Sequence, residues 1–449
     1  MSLPSTTRDY RPEIDGLRAV SVLAVAFFHA KIPVFSGGFV GVDIFFVISG
    51  FLITKIIWNE ILEKRFSLLK FYERRARRIL PALFVVVIFV IIFTILFKTP
   101  REARLFGESI SFFGLFASNF FFLQERGYFE APLEQFALLH TWSLAVEEQF
   151  YIFFPLILMA LGSQTAGRTR TVVWALAGAS FVAASILVFE NRNMVFFSTP
   201  FRLWELALGS LLALGAFPAV SSRPLREALS ALGAALIVVS VFAYDETLPF
   251  PGAAALAPCA GAALIIHANQ NAGAHGLTLV GRGLAWGPVV FIGLVSYSFY
   301  LWHWPALSFA QYVAIRPLEP AETAGALALS FLLAVASLHL IERPFRRPGG
   351  VMPRGPLLAS SALGLLACIG LGIALQESKG WPGRMPPDVL AMTTGDVIEM
   401  GVDRGCLTER DRLTPEAREN VRVIFCRIGD VEETPKTLVW GDSHTLAIS

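Results

Sequence analysis

Three ionisable residues near the beginning of the chain have the types and the spacing of an acid–base site. Arg18 and His29 lie eleven positions apart on one predicted helix, which separates them by about 16 Å along its axis. Asp43 lies on the next predicted helix, seven positions beyond Ser36 in the turn, and His29 lies seven positions before Ser36. We therefore expect His29 and Asp43 at similar depth in an antiparallel hairpin. A carboxylate beside an imidazole fixes its tautomer and raises its basicity.

A contact between His29 and Asp43 also has a purely structural interpretation, because such a hydrogen bond locks two membrane helices together. The surrounding glycines suit either interpretation, since they allow helices to approach as closely as a substrate passage or tight packing requires. These glycines are Gly37, Gly38, Gly41 and Gly50.

A cluster of four arginines follows the second predicted helix: Arg74, Arg75, Arg77 and Arg78. Arginine side chains bind phosphate with two parallel hydrogen bonds, so this cluster is a candidate site for a phosphorylated donor such as coenzyme A. The same charges can act as a topology signal or contact anionic lipid. Charge alone favours that second interpretation.

Two neighbouring acids, Glu147 and Glu148, lie one turn inside a predicted membrane helix that begins near Ser143. One of these two acids can accept or relay a proton at this position. In the alternative, Ser143 caps the helix and the acids interact with its N-terminal dipole.

Other charged residues in apolar stretches have less specific patterns. Arg202 and Glu205 have i,i+3 spacing, which favours a structural pair. His303 lies between two tryptophans that suit a membrane interface, and its role stays open.

Near the end of the sequence, Gly441-Asp442-Ser443-His444 follows a short predicted strand at 437–440. Ser443 would lie on a strand-to-helix turn as a nucleophile, and it would need a distant base and an oxyanion hole.

Most of these residues must be positioned by membrane helices, because 55% of the chain is hydrophobic and only 16% is charged, whereas soluble proteins have about 25% charged residues. An apolar stretch at 105–123 contains many small and polar residues, and we interpret it as re-entrant or peripheral. We predict eleven spans, at 19–35, 38–57, 79–97, 143–162, 171–189, 199–217, 227–243, 252–268, 288–310, 321–341 and 356–375.

The distribution of Lys and Arg among the loops supports this topology. With the N-terminus in the cytoplasm and the C-terminus outside, most loop cations are cytoplasmic, as the positive-inside rule requires. A span at 105–123 would instead place the loops with Arg168, Arg223 and Arg343 outside.

Five sequence strings together resemble acyltransferase family 3, the membrane O-acyltransferases that include O-antigen acetylases and peptidoglycan O-acetyltransferases. The resemblance covers residues 10–345. The strings are residues 10–18, the Arg18-to-His29 spacing, and residues 41–53, 74–81 and 142–151.

The resemblance implies an acetyl-CoA-like donor, a bacterial inner membrane and an acceptor sugar on the periplasmic or outer side. It also implies that Arg18, His29, the arginine cluster and Glu147 matter for activity. The tail is similar to the start of a fused SGNH-type domain with Ser443 in the nucleophile position. The Gly, Asn and Asp-x-x-His that complete such a site do not follow in this sequence, so we expect that Ser443 alone cannot form a triad.

The expected fold is an all-α polytopic membrane protein with about eleven transmembrane helices and one re-entrant segment. The expected domains are a membrane acyltransferase domain at 1–375, a periplasmic linker at 376–420 and the incomplete start of an α/β SGNH-like domain at 421–449.

The expected function is O-acyl transfer, with acetyl as the expected group, from cytoplasmic acyl-CoA to a cell-surface polysaccharide such as lipopolysaccharide O-antigen. The expected partners are acyl-CoA, a surface glycan or lipid-linked sugar, and membrane lipid; no metal, bound cofactor or nucleic acid is expected. One rival is a non-catalytic transporter or flippase of an acyl carrier or lipid-linked sugar. Another is a membrane anchor for an active soluble domain.

Overall fold

The computed structural model of the chain describes residues 10–124, 136–162, 166–270, 272–347, 350–387 and 390. Within these residues the regular secondary structure is helical, without any β-strand, which confirms the all-α prediction for the membrane part. Ser443, most of the predicted linker and the whole predicted SGNH-like segment lie outside the described residues.

The described residues form a series of helices of very different lengths. A π-helical turn, Leu338–Glu342, continues α15 directly into α16. In chain order the helices are α1 (Pro12–His29), α2 (Gly41–Leu62), α3 (Leu68–Phe97), α4 (Pro100–Gly114), α5 (Ser118–Gln124), α6 (Thr141–Leu161), α7 (Ala166–Leu187), α8 (Arg192–Phe197), α9 (Thr199–Ala213), α10 (Arg223–Ala243), α11 (Leu256–Ala268), α12 (Ala272–His275), α13 (Leu279–Leu284), α14 (Gly287–Ala314), α15 (Pro320–Ser337), α16 (Arg343–Arg346) and α17 (Arg354–Glu377).

Seven helical segments of the described residues are long and apolar enough to cross a membrane, so the chain is a multi-helix membrane protein. Helices also lie at the other four predicted spans, α1, α9, α11 and α14, but these are shorter or more polar. The total of about eleven spans stays a prediction. The seven segments are Gly38–Leu62, Leu68–Phe97, Thr141–Leu161, Ala166–Leu187, Arg223–Ala243, Pro320–Arg346 and Arg354–Glu377.

The contacts of the chain divide it into two compact units. The first unit comprises Met1–Ile92 and Ser109–Gly370, and the second comprises Phe93–Glu108 and Leu371–Ser449. Every candidate site residue that the structure describes belongs to the first unit.

The first helix begins at Pro12, earlier than the predicted start at residue 19. Proline at the first helical position, followed by Glu13 and Asp15 in the first turn, favours a helix start there. The helix ends at His29, and two short 3-10 turns lead to α2. His29 is therefore the last residue of its helix, whereas Asp43 lies in the first turn of α2.

The stretch 105–123 is divided between α4 and α5, which have 15 and 7 residues. Each is shorter than the about 20 residues that a span requires. In α5 the buried Asn119 donates to the Phe197 carbonyl at 3.0 Å and accepts from Gln149 Nε2 at 2.9 Å. These short helices support a re-entrant or peripheral segment, which stays a prediction.

Glycines bring the main chains of α2 and α9, and those of α1 and α14, into direct contact. A Cβ atom at Gly50 of α2 would lie 1.9 Å from the Leu206 carbonyl oxygen of α9, and one at Gly209 of α9 would lie 2.0 Å from the Val47 carbonyl oxygen of α2. A Cβ atom at Gly293 of α14 would lie 1.8 Å from a carbonyl oxygen of α1. The expected close approach at Gly50 is therefore confirmed, and equivalent contacts occur at Gly37, Gly38 and Gly41.

Candidate active site

A cavity among helices α1, α2, α3, α6 and α14 is lined by four of the predicted site residues, Arg18, Arg75, Arg78 and Glu147, whereas His29 and Asp43 are not part of its lining. Its walls include apolar side chains such as Phe45, Leu52 and Ile79. Its polar lining comprises Arg18, Ser49, Arg75, Arg78, Ser143, Glu147, Glu148, Tyr151, Ser296, Tyr297 and Tyr300. We call this space the site cavity.

The four clustered arginines point in two different directions. Arg75 and Arg78 line the site cavity, and within the described part of the chain neither makes an ion pair. Arg74 instead pairs with Glu60 at 3.0 Å, and Arg77 pairs with Glu73 at 3.0 Å. Residues three apart share one helix face, so Arg75 and Arg78 both face the cavity, whereas Arg74 and Arg77 both form ion pairs.

Arg18 is the third arginine that lines the cavity, and Asp15 and Tyr10 hold its guanidinium in position. Its Nη1 lies 3.1 Å from Asp15 Oδ1, and the Tyr10 hydroxyl donates to Asp15 Oδ2 at 3.0 Å. Tyr10 precedes α1, and its partial burial together with the Asp15 carboxylate raises the pKa of Tyr10 to about 12. The hydroxyl therefore stays protonated at neutral pH and keeps donating to the acid that orients Arg18.

Glu147 faces the site cavity and is held by two hydroxyl groups. Ser49 Oγ donates to Glu147 Oε1 at 2.7 Å, and Tyr151 OH donates to Glu147 Oε2 at 3.1 Å. The alternative capping arrangement is not formed, because no side chain caps the N-terminus of α6. An oriented carboxylate in an apolar wall has the position that proton transfer requires.

One turn before Glu147, a polar group links α6 to α14. Ser143 Oγ lies 2.6 Å from Tyr300 OH, and Tyr300 OH donates to the His140 carbonyl at 2.9 Å. The ring centroid of His140 lies 5.6 Å from that of Tyr300 and 6.1 Å from that of His303. The polar lining of the cavity is thus close to an imidazole cluster.

His29 contacts His303 of α14, and the expected pair with Asp43 is wrong. His29 Nδ1 lies 2.9 Å from His303 Nε2, and the ring of Trp304 packs against His29 with centroids 4.6 Å apart. Asp43 faces α9, where it accepts from Arg202 at 3.0 Å. Equal depth in a hairpin does not determine which neighbouring helix a side chain faces, and here the two side chains face different ones.

Asp43, Arg202 and Glu205 form what we call the closed ion cluster. Arg202 Nη2 lies 3.0 Å from Asp43 Oδ1 and 3.3 Å from Glu205 Oε2, and all three side chains are 0% exposed. This confirms the expected structural pair of Arg202 and Glu205 and adds Asp43 to it. Four aromatic rings surround the guanidinium at 5.3–5.8 Å, namely those of Phe46, Trp142, Phe196 and Phe250.

The closed ion cluster also has the residue types of a metal site, because Asp43, Glu205 and Cys259 offer ligand atoms within 4.8 Å of one another. However, the Arg202 guanidinium already lies between the two carboxylates as a cation. The Cys259 sulfur lies 4.0 Å from the Asp43 carbonyl oxygen, where a thiol donates weakly. This arrangement fits a helix lock better than a metal centre.

Two contributors to the site were underestimated from the sequence. His303 was left open because adjacent tryptophans also suit a membrane interface, and Tyr300 was not singled out. A signal was available, since His303 is the one histidine of a long apolar helix and Tyr300 precedes it by nearly one turn.

Comparison with known proteins gives an independent result. The profile of acyltransferase family 3, described as an acyltransferase domain, matches residues 11–339. The O-acetyltransferase OatA of Staphylococcus aureus is 31% identical over 361 residues, which are 76% of this chain and 58% of that protein. This chain therefore matches little more than half the length of that relative.

A second relative matches over most of both chains. The protein BcsY of Komagataeibacter xylinus, whose name describes a membrane-bound transacylase, is 31% identical over 376 residues, 82% of this chain and 91% of that protein. No solved structure is significantly similar to the chain.

Proposed function

Because the chain belongs to acyltransferase family 3 and is an acyltransferase, we propose that it is a membrane O-acetyltransferase that acts on cell-surface polysaccharide. The donor is acetyl-CoA from the cytoplasm, and the acceptor is a sugar hydroxyl on the far side of the inner membrane, for example in lipopolysaccharide O-antigen. The observation that carries the proposal is a cavity lined by an oriented carboxylate and by two arginines, Arg75 and Arg78, that make no ion pair within the described residues, close to a pair of bonded histidines.

The arginine end of the site cavity is the donor site in this proposal. Arg75 and Arg78 have no carboxylate partner within the described residues, so their guanidinium groups are available to the phosphates of coenzyme A. Charge-assisted hydrogen bonds to phosphate are among the strongest in proteins. Arg18, oriented by Asp15, adds a third donor.

The reacting groups are Glu147 and His29. Acyl transfer breaks the thioester C–S bond, forms a C–O bond to the sugar and moves one proton from the hydroxyl to the departing thiolate. His29 acts as general base for the hydroxyl or as a transient acyl carrier, and Glu147 relays the proton to the thiolate. Both roles leave the enzyme unchanged after one turnover.

The topology of the proposal is eleven spans with a cytoplasmic N-terminus and a periplasmic C-terminus. The positive-inside bias of the loops supports it. This orientation places the Arg18 end of α1 on the cytoplasmic side and the His29 end on the far side, so the acyl group moves outward from the arginines toward His29.

The final acceptor step has two versions. In one, the membrane site acylates the sugar directly; in the other, Ser443 of an SGNH-type domain receives the acyl group and passes it on. The chain covers 58% of the length of OatA from S. aureus, so the second version is proposed for a protein that also contains a complete SGNH-type domain.

The test is acetyl-CoA turnover by the purified full chain in proteoliposomes, followed as release of free CoA thiol. We expect His29→Ala to abolish turnover without changing the melting temperature, because the ring that carries the reaction is missing. The matched control is His267→Ala, a half-buried histidine bonded to Gln270 and the Pro218 carbonyl, which should retain activity.

Two other results would reject the proposal. A transporter or flippase predicts no CoA release by the unmodified protein under any acceptor condition. A passive anchor predicts that cells producing His29→Ala keep the full acetyl content of their surface polysaccharide.

A further inference from the structure

We infer that His303 is a positioning residue that fixes the proton of His29 on Nδ1, so that the Nε2 lone pair of His29 is the reactive one. The inference deepens the proposed function and rests on it. It assigns a role to a residue that the sequence left open and replaces the overturned pairing of His29 with Asp43.

The first step is the tautomer of His303, which follows from its partners. Its Nδ1 lies 2.7 Å from the Tyr300 carbonyl oxygen and 3.2 Å from the Phe299 carbonyl oxygen. A carbonyl oxygen only accepts hydrogen bonds, so Nδ1 must carry a proton. In a neutral imidazole the other nitrogen, Nε2, is then an acceptor.

The second step is the charge of His303, which its surroundings keep neutral. The residue is 0% exposed, and its ring faces the rings of Phe299, Tyr300, His140 and His29. None of these four neighbours is a carboxylate that would stabilise an imidazolium. A buried unpaired charge is strongly unfavourable in an apolar region, so the ring is neutral at rest.

The third step is the bond between the two rings. His29 Nδ1 lies 2.9 Å from His303 Nε2, and the two ring planes differ by only 6°. The ring lone pairs and N–H bonds lie in the ring plane, so this nearly coplanar arrangement is favourable for a hydrogen bond. Because His303 Nε2 accepts, His29 Nδ1 donates, and the neutral His29 ring has its lone pair on Nε2.

The arrangement differs from a Ser-His-Asp triad, in which a carboxylate orients the histidine. Here a neutral imidazole anchored on a backbone carbonyl selects the tautomer. If Nε2 of His29 takes a proton or an acyl group, the Nδ1 proton can pass to His303 Nε2. The positive charge then lies on His303, whose Nδ1–H stays bonded to the Tyr300 carbonyl. When the acyl group or proton leaves Nε2 of His29, the transferred proton returns from His303 Nε2 to His29 Nδ1.

The test compares two substitutions at one position. His303→Leu removes the acceptor, and we expect the kcat for acetyl-CoA turnover to fall by about 10²–10⁴, the range seen when a catalytic histidine loses its orienting partner. The KM for acetyl-CoA should not change, because the arginines that bind the donor are untouched. His303→Gln offers a carbonyl oxygen to His29 Nδ1–H and should restore at least a tenth of the activity.

The matched control is His339→Leu. His339 also bonds through Nδ1 to a carbonyl of its own helix, that of Val335 at 2.9 Å, but it is exposed and far along the chain from the site. It should retain full activity. Equal losses in both leucine variants would overturn the inference, because they would report general damage to the helices.

A second measurement does not depend on turnover. Diethyl pyrocarbonate acylates a neutral imidazole at the ring nitrogen that carries no proton, and mass spectrometry measures the rate of this reaction at His29. We expect this rate to fall several-fold in His303→Leu and to recover in His303→Gln. An unchanged rate, or normal kcat in a folded His303→Leu protein, would overturn the inference even if the unmodified protein turns over acetyl-CoA. Absence of turnover in the unmodified protein would instead reject the proposed function.

Discussion

The closed ion cluster and the site cavity both contain charged groups inside the membrane domain, but they differ in how those charges are partnered. In the cluster, one guanidinium lies between two carboxylates with four aromatic rings around it, and none of the three side chains is exposed. In the cavity, Arg75 and Arg78 face open space without an acid partner within the described residues.

This difference separates structural from functional charge. A membrane-embedded ionisable residue is a functional candidate by default, yet Asp43 and Glu205 both form ion pairs with Arg202, and these contacts connect α2 to α9. Arg75, Arg78 and Glu147 are incompletely neutralised and border a space that a substrate can enter. Incomplete partnering at a cavity is therefore the better indicator of function, and three experiments test this distinction.

The largest effect is expected from Arg202→Met in the closed ion cluster. It leaves two acids in an apolar interior, and removing one partner of a buried pair costs about 3–5 kcal/mol. We expect a large drop in the melting temperature in detergent and little folded protein. The charge-free variant Asp43→Asn, Arg202→Met, Glu205→Gln should recover part of the loss. A normal melting temperature for Arg202→Met would contradict the structural role.

A smaller effect, on activity alone, is expected from Glu147→Gln in the site cavity. The amide keeps an oxygen for the Ser49 hydroxyl but cannot relay a proton, so kcat should fall by about 10². The melting temperature should not decrease, since a half-buried carboxylate becomes neutral. The control Glu322→Gln changes an exposed ion pair with Arg316 and should affect neither quantity. Full activity in Glu147→Gln would exclude the proton relay.

The smallest effect is expected on KM, from single alanine substitutions in the arginine cluster of α3. Arg75→Ala and Arg78→Ala should each raise the KM for acetyl-CoA about tenfold, because a charged hydrogen bond contributes about 1.5–3 kcal/mol. Neither should raise the KM for S-acetylpantetheine, which lacks the nucleotide phosphates. Arg74→Ala and Arg77→Ala, which break partly exposed ion pairs, should change both values less than threefold. Equal effects of all four would favour a diffuse surface charge.

The sequence was sufficient to predict the helices and several parts of the site. Long apolar runs identified α2, α6, α7 and α10 near their observed positions, since membrane spans have a strong compositional signal. The start of α3 was predicted at residue 79 but lies at Leu68, because its first turns carry the arginine cluster and form no long apolar run. Arg18 and Glu147 were predicted as site residues and both line the cavity. Their type is costly in an apolar stretch, so the sequence alone marks them.

The direction in which a side chain points around its helix could not be predicted from the sequence. Asp43 and His29 were expected to pair because their depths are similar, but depth does not distinguish α9 from α14 as the neighbour. The contact of His29 with His303 joins residues 274 positions apart. Such a pairing depends on how the helices assemble, and no local pattern encodes it.

The close approach of Gly293 of α14 to the Asp15 carbonyl of α1 has a mechanical consequence for catalysis. Where two helices touch at the main chain, they cannot slide past each other without collision, because packed interfaces do not deform continuously. These are the helices that carry His29 and His303, so the spacing of the two imidazoles is set when the bundle assembles, before any substrate arrives. In the proposed reaction, the thioester and the hydroxyl therefore travel to a pair of rings whose spacing is already set.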